Sequence, residues 1–305
     1  MNNTSLPPPN QVWAHSTCCL KDLRDAANDT RITAIEADIL MGQDHNHLGP
    51  KCPIMAHPPD TTSDLSFDRF INYVIESKKC QHVKLDFKDI ESVDYVLHKL
   101  SMIESELHPT QTVFLNADIL PGPGKRNAII KVPQNEFLGK CLKFLSKSNR
   151  RNQFAFSLGL MVDCRSMAGY TDQDIQILKD VIVEHSLIEN SKGVVLAVNA
   201  RVLCKRLFAF DKLLIDIPQL QLLVWTATGE PPISNSQIEK IRRHYSEIAM
   251  GENVGFDCLI AKNCYGGFFF DWAVWIVSLF WNLKQVAISM SIISTISKIK
   301  KHKIK

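Results

Sequence analysis

The 305-residue sequence lacks most of the short motifs that identify common enzyme classes. No GxGxxG follows the first apolar segment, which weakens a dinucleotide-binding interpretation. No GxSxG is present, so a serine hydrolase with a nucleophile elbow is not expected. A Pro-Gly-rich stretch at residues 121–125 lacks the GxxxxGK[ST] spacing of a phosphate-binding loop, and we predict a rigid strand-to-helix loop there.

Cysteine pairs, an apolar leader and a strong net charge are also missing. Nine cysteines are scattered without a CxxC pair, which argues against a disulfide framework or structural zinc and favours reduced thiols in a cytoplasmic protein. Residues 1–11 are polar and proline-rich, contain no signal-peptide core and are predicted to be flexible. Without the five lysines of the last eight residues, the net charge of +3 becomes −2, so we predict no nucleic-acid partner.

From Val12 onward, short apolar segments alternate with amphipathic segments. The eight predicted barrel strands are VWAHS, ITAIEADIL, HVKLDFK, TVFLNADIL, FAFSLGLM, GVVLAVNA, LQLLVWT and VGFDCLIA, and CPIMAH is a further short extended segment. Seven predicted helices separate the eight strands. Near-continuously apolar strands in such an alternation are typical of parallel strands buried on both faces. The pattern predicts one closed (β/α)₈ barrel over residues 12–261, with an open doubly wound sheet as the alternative.

Two neighbouring predicted strands carry acidic side chains at alternating positions. Glu36 and Asp38 are two residues apart and therefore point the same way on a strand, and Asp86 and Lys88 repeat this spacing. Three converging carboxylates would repel one another unless a cation lay between them. We therefore predict an Mg²⁺ or Ca²⁺ site at Glu36, Asp38 and Asp86, with ordinary salt bridges as the alternative.

Two histidines bracket the strand that carries Glu36 and Asp38. Imidazole, with an unperturbed pKa of about 6.5, can both accept and donate a proton near neutral pH. His15 and His57 are therefore predicted to be an acid–base pair for phosphodiester cleavage, with Lys88 stabilising a phosphate oxygen. Structural roles are the alternative for all three. His45 and His47 of the DHNH loop are expected to be solvated.

Other polar residues lie towards the ends of the remaining predicted strands. In (β/α)₈ barrels, function is found at the carboxyl ends of the strands. We predict that Asn116, Ser157 and Asn199 donate hydrogen bonds to substrate or to site residues, and that Trp225 forms a wall of the pocket. Simple packing is the alternative for each. Asp118 has a similar position in its strand.

Several segments together resemble the menorin family over residues 12–246. These segments are WAHS, IEADIL, AHPPDTTSDLSF, KLDFK, FLNADILPGPG and VWTATGEPP. The family is itself similar to phospholipase-C-like and glycerophosphodiester phosphodiesterase barrels, so the resemblance implies that fold. The histidines, carboxylates, lysine and tryptophan of those barrels match His15, Glu36, Asp38, His57, Asp86, Lys88 and Trp225.

The resemblance implies one of two functions. One is cleavage of a lipid or glycerophosphodiester phosphodiester, with a divalent cation. The other is a non-catalytic binding protein that keeps the pocket, which is favoured by two departures from the enzymes. Ser16 replaces the arginine that usually follows the first histidine, and Pro58 replaces the aspartate that commonly follows the second. The family is also linked to neuronal patterning and neuron survival.

Residues 262–305 differ in character from the rest of the chain. Asp271 and Lys284 are the only charged residues between positions 268 and 297, and lysines end the segment. Three interpretations stay open: a membrane tail anchor, an amphipathic helix at a membrane interface, or an atypical terminus that packs on the barrel or folds poorly.

Overall fold

The computed structural model describes residues 5–258, apart from residues 47–48, 78, 80, 228–229 and 231. The strands in these ranges are β1 (Trp13–Ala14), β2 (Ala34–Asp44), β3 (Cys52–Met55), β4 (Thr62–Ser63), β5 (His82–Phe87), β6 (Val113–Pro121), β7 (Phe154–Met161), β8 (Val194–Asn199), β9 (Gln221–Trp225) and β10 (Val254–Asp257). The α-helices are α1 (Leu20–Asn28), α2 (Phe67–Glu76), α3 (Val93–Ile103), α4 (Gln134–Leu145), α5 (Asp172–Glu184), α6 (Ala200–Leu203), α7 (Asp211–Asp216) and α8 (Asn235–Glu247).

Eight parallel strands form a nearly closed barrel, which confirms the predicted (β/α)₈ fold. The order around the barrel is β1-β2-β5-β6-β7-β8-β9-β10. β3 pairs antiparallel with the second half of β2, because β2 continues beyond the barrel as far as Asp44. In the described part of the chain, no strand ladder joins β10 to β1.

The barrel strands alternate between an apolar outer face and a more polar inner face. In β2, Ile35, Ala37 and Ile39 belong to the large core that the helices cover, whereas Glu36 and Asp38 face the interior. The helices cover most of the outer face, so the strands look apolar in sequence, while their alternate positions still carry charge. This alternation corrects one expectation: Glu36 is the third residue of β2 and Ser157 the fourth of β7, so neither lies late in its strand.

An apolar cluster fills the barrel at the end where the strands begin. It consists of Phe114, Ala155, Val195 and Leu223, with Leu6 and Trp13 packed against it. Gln221 Nε2 donates a hydrogen bond to the Pro7 carbonyl at 3.1 Å, and Leu6 lies against Gly193. Residues 6 and 7 therefore lie against the base of the barrel, and the flexibility expected for residues 1–11 stays a prediction.

Local sequence signals explain where the helices begin. Thr171 caps α5 in a reciprocal capping box with Asp174, and Ser234 caps α8 in the same way with Gln237. Between β8 and β9 the chain forms α6, a 3₁₀ turn (Leu207–Phe210) and α7 rather than one continuous helix.

No helix within the described ranges is long and apolar enough to cross a membrane. The predictions for residues 262–305 concern a segment outside the described residues.

Candidate functional site

The predicted carboxylates meet inside the barrel because of strand register. Asp38 of β2 lies opposite Asp86 of β5, and Glu36 lies one inward-facing position nearer the base. One carboxylate oxygen from each residue lies within 4.8 Å of the other two. Glu36 is 2% and Asp38 3% exposed, so both carboxylates are almost fully buried.

The loop after β1 donates hydrogen bonds to the two β2 carboxylates. The Ser16 backbone N–H donates to Glu36 Oε2 at 2.5 Å, and its hydroxyl donates to Asp38 Oδ2 at 3.3 Å. The backbone of Ser16 has a φ of 54°, a left-handed conformation that is uncommon outside glycine. The residue whose N–H donates to Glu36 is therefore also one with an unusual backbone conformation. Cys18 Sγ also lies 3.5 Å from Asp38 Oδ2, and burial raises the pKa of this thiol to about 12.

Lys88 bridges two of the carboxylates. Its Nζ lies 2.9 Å from Asp38 Oδ1 and 2.7 Å from Asp86 Oδ2. Burial opposes its charge, but Asp86, Asp38 and Asp118 outweigh burial and hold the pKa of Lys88 well above its usual value. The ammonium group therefore stays charged and supplies one positive charge to the acidic cluster.

Glu36 and Asp38 respond differently to the same surroundings. Burial raises the pKa of Glu36, and the neighbouring charge of Asp38 raises it further. Burial also opposes ionisation of Asp38, but Lys88 outweighs that effect and lowers the pKa of Asp38. Of these two carboxylates, Glu36 therefore favours the protonated form and Asp38 the ionised form.

His15 is held by a residue that sequence reasoning missed. Its Nδ1 lies 2.8 Å from Asp257 Oδ2 and 3.6 Å from Glu36 Oε2. Burial lowers the pKa of His15, but the hydrogen bond to Asp257 and the charges of Glu36 and Asp257 outweigh burial and raise it overall. With Nδ1 bound to Asp257, Nε2 is the ring nitrogen left to exchange a proton.

His57 lies at the edge of the site. Its side chain is exposed, and Nδ1 lies 2.6 Å from the carbonyl oxygen of Pro58, which is followed by a cis Pro58–Pro59 peptide bond. The preceding Ala56 N–H donates to the Asp38 carbonyl at 3.0 Å, and His57 is among the charges that lower the pKa of Asp38. His57 therefore belongs to the same site, on its solvent side. Within the described residues the exposed His45 makes no contact with the carboxylates, and His47 lies outside those residues.

Asn116 and Ser157 lie on the next two strands at the level of Asp86. Ser157 donates its hydroxyl proton to Asn116 Oδ1 at 2.5 Å, so each residue is the other's partner. Asp118 lies one inward-facing position closer to the mouth, where burial and the charge of Asp86 raise its pKa to about 6. Gly159 leaves room for this carboxylate, because a Cβ at that position would collide with Asp118 Oδ1.

Asn199 and Trp225 end their strands on the other side of the barrel. Asn199 caps α6 by accepting the N–H groups of Arg201 and Val202, and its amide donates to Glu230 Oε1 at 2.9 Å. Asn199 therefore has a structural role, and its predicted hydrogen bond to substrate or to a site residue stays a prediction. Trp225 lies opposite Asp257, half-buried, and its buried Nε1 makes no hydrogen bond within the described residues.

Lys84 is a buried residue of the barrel interior that the predicted site did not include. It is 5% exposed, and its Nζ lies 4.9 Å from the centroid of the Trp13 ring. Its position two residues before Asp86 is the signal that could have identified it, because alternate residues of β5 share one face.

The charges inside the barrel do not balance. Among the described residues, five carboxylates (Glu36, Asp38, Asp86, Asp118 and Asp257) face two lysines (Lys84 and Lys88), which leaves a charge of −3 when the carboxyl groups are ionised and the histidines neutral. Hard oxygen ligands with excess negative charge are the donor set that Mg²⁺ and Ca²⁺ prefer. The residues present therefore fit a divalent cation at Glu36, Asp38 and Asp86.

Comparisons with known proteins agree with the resemblance seen in the sequence. The model of the Menorin N-terminal domain family matches residues 10–250. Human Protein FAM151B is 27% identical over 252 residues, covering 83% of each chain. Among solved structures, a Listeria monocytogenes protein assigned as a vitamin-B12-independent methionine synthase aligns over 85% of this chain and 81% of its own, at 10% identity and a TM-score of 0.39, too distant to carry over any function. With most of its length matched by the family model, this chain belongs to the menorin family.

Proposed function

We propose that this menorin-family protein is a divalent-cation-dependent phosphodiesterase that cleaves the phosphodiester of a lipid or glycerophosphodiester. The observation that carries the proposal is the convergence of Glu36, Asp38 and Asp86 within 4.8 Å, beside a histidine that a carboxylate holds in place. A cation bound there would neutralise the cluster and attract a phosphate oxygen.

His15 is suited to act as the general base. Asp257 fixes Nδ1 at 2.8 Å, which orients the ring and stabilises the imidazolium that forms when Nε2 takes a proton from the attacking hydroxyl group. The base remains connected to the carboxylate cluster through Glu36, 3.6 Å away.

His57 and Lys88 complete the proposed proton transfers and charge stabilisation. His57 lies on the solvent side of Asp38, where it can donate a proton to the departing oxygen and exchange it with water afterwards. Lys88, fixed by Asp38 and Asp86, offers a permanent positive charge to an oxygen that becomes more negative in the transition state.

Calorimetric titration of Mg²⁺ and of Ca²⁺ into chelator-treated protein tests the cation site. We expect binding by the wild-type protein and none by Asp38→Ala. Asp94→Ala is the matched control, because Asp94 pairs with Lys140 on the surface, away from the barrel interior. Absence of binding at millimolar cation would contradict the proposal; binding that Asp38→Ala loses and Asp94→Ala keeps would justify a screen of phosphodiesters.

A non-catalytic binding protein is the second candidate, and the geometry of Lys88 favours it. Its ammonium already bridges two of the three carboxylates, as an internal cation would. In this case the pocket would recognise a phosphorylated ligand without cleaving it. His57→Ala separates the two functions: an enzyme would lose cleavage and keep cation binding, whereas a binding protein would tolerate the substitution.

The neuronal role and cytoplasmic location that the sequence suggests stay predictions. If the site serves the neuronal role, His57→Ala should fail to restore neuron survival where the wild-type protein restores it. Restoration by both proteins would separate that role from cleavage.

A further inference from the structure

Three successive connections after β6, β7 and β8 expose large apolar side chains. Met167, between β7 and α5, is 93% exposed, and Ile129, between β6 and α4, is 81% exposed. These are the two highest values among the large hydrophobic residues that the structure describes. Phe208, which follows α6, is 59% exposed. We call these three residues the apolar rim.

The three connections contact one another. The Pro123 carbonyl accepts a hydrogen bond from the Asp163 N–H at 2.9 Å, which joins the first connection to the second. Lys205 Nζ donates to the Cys164 carbonyl at 3.4 Å, which joins the second to the third. A Cβ on Gly169 would lie 2.9 Å from the Cβ of Arg206, so these two backbones are also in close contact.

This surface lies at the end of the barrel that holds the carboxylate site. Each connection leaves the carboxyl end of a parallel strand, and all such ends point the same way. Asp118 and Asn199, which face the interior, lie on two of the same strands, β6 and β8. A surface that docked against the apolar rim would therefore be close to the mouth of the site.

The charges around the apolar rim are predominantly positive. Residues 122–133 contain Lys125, Arg126 and Lys131 and no acidic residue, and residues 204–208 contain Lys205 and Arg206 and no acidic residue. The second connection has one aspartate and one arginine, Asp163 and Arg165, which pair with each other. Arg126 and Arg206 pair with acidic residues of α5, whereas Lys125 and Lys131 make no ion pair within the described residues.

We propose that the apolar rim docks the mouth of the barrel on an anionic phospholipid surface. Apolar side chains that project among lysines and arginines suit the boundary between acyl chains and anionic headgroups. This inference rests on the proposed function and narrows its substrate to a phosphodiester of a membrane lipid. A protein partner with an acidic, apolar surface is the competing occupant.

Vesicle co-sedimentation of the full chain tests this inference. The vesicles contain phosphatidylcholine alone or phosphatidylcholine with phosphatidylserine, and a chelator is present so that no cation bridges protein and lipid. The rim variant combines Ile129→Ser, Met167→Ser and Phe208→Ser. The control variant combines Met102→Ser, Val183→Ser and Ile215→Ser, which are exposed residues near the last turns of α3, α5 and α7, at the opposite end of the barrel.

We expect the wild-type and control proteins to bind the phosphatidylserine vesicles, and the rim variant to bind at least about tenfold more weakly. Both variants keep residues 259–305, so any contribution of that segment is common to them. Equal binding by the rim and control variants, or no binding by the wild-type protein, would overturn the inference. A melting temperature of the rim variant close to that of the control variant shows that a loss of binding is not a loss of folding.

The same proteins separate this inference from the proposed function. Vesicle binding that depends on the apolar rim, without cation binding or phosphodiester cleavage, would support the docking surface and contradict the proposed function. Cleavage of a soluble phosphodiester without vesicle binding would support the enzyme and overturn the docking surface.

Discussion

The imidazole of His15 and the carboxylate of Asp257 join the two ends of the barrel sheet. His15 directly follows β1, Asp257 ends β10, and Nδ1 and Oδ2 are 2.8 Å apart although 242 positions separate the residues in sequence. No strand ladder connects β1 and β10 within the described residues, so this side-chain pair spans the seam. It also places a polarised imidazole beside Glu36, and the same contact therefore serves both barrel closure and the proposed chemistry.

Replacing Asp257 with asparagine should reduce catalysis without abolishing cation binding. Asparagine keeps the size of the side chain but removes the charge that stabilises protonated His15, so we expect phosphodiester cleavage to fall about a hundredfold or more. Because Asp257 helps to raise the pKa of His15, we also expect that pKa to fall in the variant. Steady-state kinetics measures the first effect, and NMR titration of the ring measures the second.

Asp211→Asn is the matched control for Asp257→Asn. Asp211 Oδ1 lies 2.8 Å from His244 Nε2, the same separation as in the site, but this pair lies between α7 and α8 on the outside of the barrel. The Asp211→Asn substitution should leave phosphodiester cleavage unchanged. Equal losses in both variants would indicate a general effect on folding, and an unchanged pKa of His15 in Asp257→Asn would contradict the proposed role.

Replacing Lys88 with methionine should make stability depend on the cation. Without the ammonium, Asp38 and Asp86 would repel each other and Glu36, and we expect a loss of about 2–4 kcal/mol in the free energy of unfolding in chelator. Added Mg²⁺ or Ca²⁺ should restore much of this loss, because the cation replaces the missing positive charge. Urea denaturation with and without cation measures both effects.

Lys140→Met is the control for Lys88→Met. Lys140 pairs with Asp94 and Glu136 on the surface, where an ion pair contributes about 0–1 kcal/mol. The stability of the Lys140→Met protein should differ little from that of the wild type and should not respond to the cation. A Lys88→Met protein that is as stable as the wild type in chelator would show that the carboxylates do not need the lysine.

The carboxylate cluster could be predicted from sequence because it depends on local geometry. Glu36, Asp38 and Asp86 lie on two strands that are adjacent in the barrel, and alternation along each strand specifies which side chains share a face. Helix caps such as Thr171 are local in the same sense. Both features can be predicted from a few neighbouring residues together with the rule that successive parallel strands pair.

The partner of His15 could not be predicted in this way. Asp257 reaches His15 only because eight strands return to the start, and that closure depends on the register of every strand between them. Once the barrel is assumed, a signal does exist: an acidic residue at the end of the last strand should lie beside the first. Asn199 was also incompletely predicted, because an asparagine just before a helix is a common N-cap, and that role accompanies any contact with substrate.

Replacing Asp118 with asparagine should stabilise the cation-free protein. Burial and Asp86 raise the pKa of Asp118 to about 6, so its ionised form is unfavourable in the folded protein above that pH. The folded state therefore binds more protons than the unfolded state between about pH 4 and 6, and stability falls as the pH rises through this range. We expect Asp118→Asn to gain about 1–2 kcal/mol at neutral pH in chelator and nothing near pH 4. An equal gain at both pH values would contradict this electrostatic explanation.

Acid should destabilise the protein through His82, at the base of β5. Burial, with a smaller contribution from Lys192, lowers the pKa of this histidine to about 4, and its Nδ1 accepts a hydrogen bond from the Thr112 N–H at 3.1 Å. Between about pH 6.5 and 4 the unfolded chain binds a proton that the folded protein does not, so this contribution is complete above pH 6.5 and is lost as the pH falls. Asparagine can accept the same hydrogen bond but cannot be protonated in this range. His82→Asn should therefore lose roughly 1–2 kcal/mol less stability than the wild type between pH 7 and 4, after allowance for the partial exposure of the ring.

Urea denaturation across this pH range measures the difference between His82→Asn and the wild type. His98→Asn is the control, because the His98 side chain is exposed. Parallel stability profiles for all three proteins would contradict this prediction, because they would show that folding does not lower the pKa of His82.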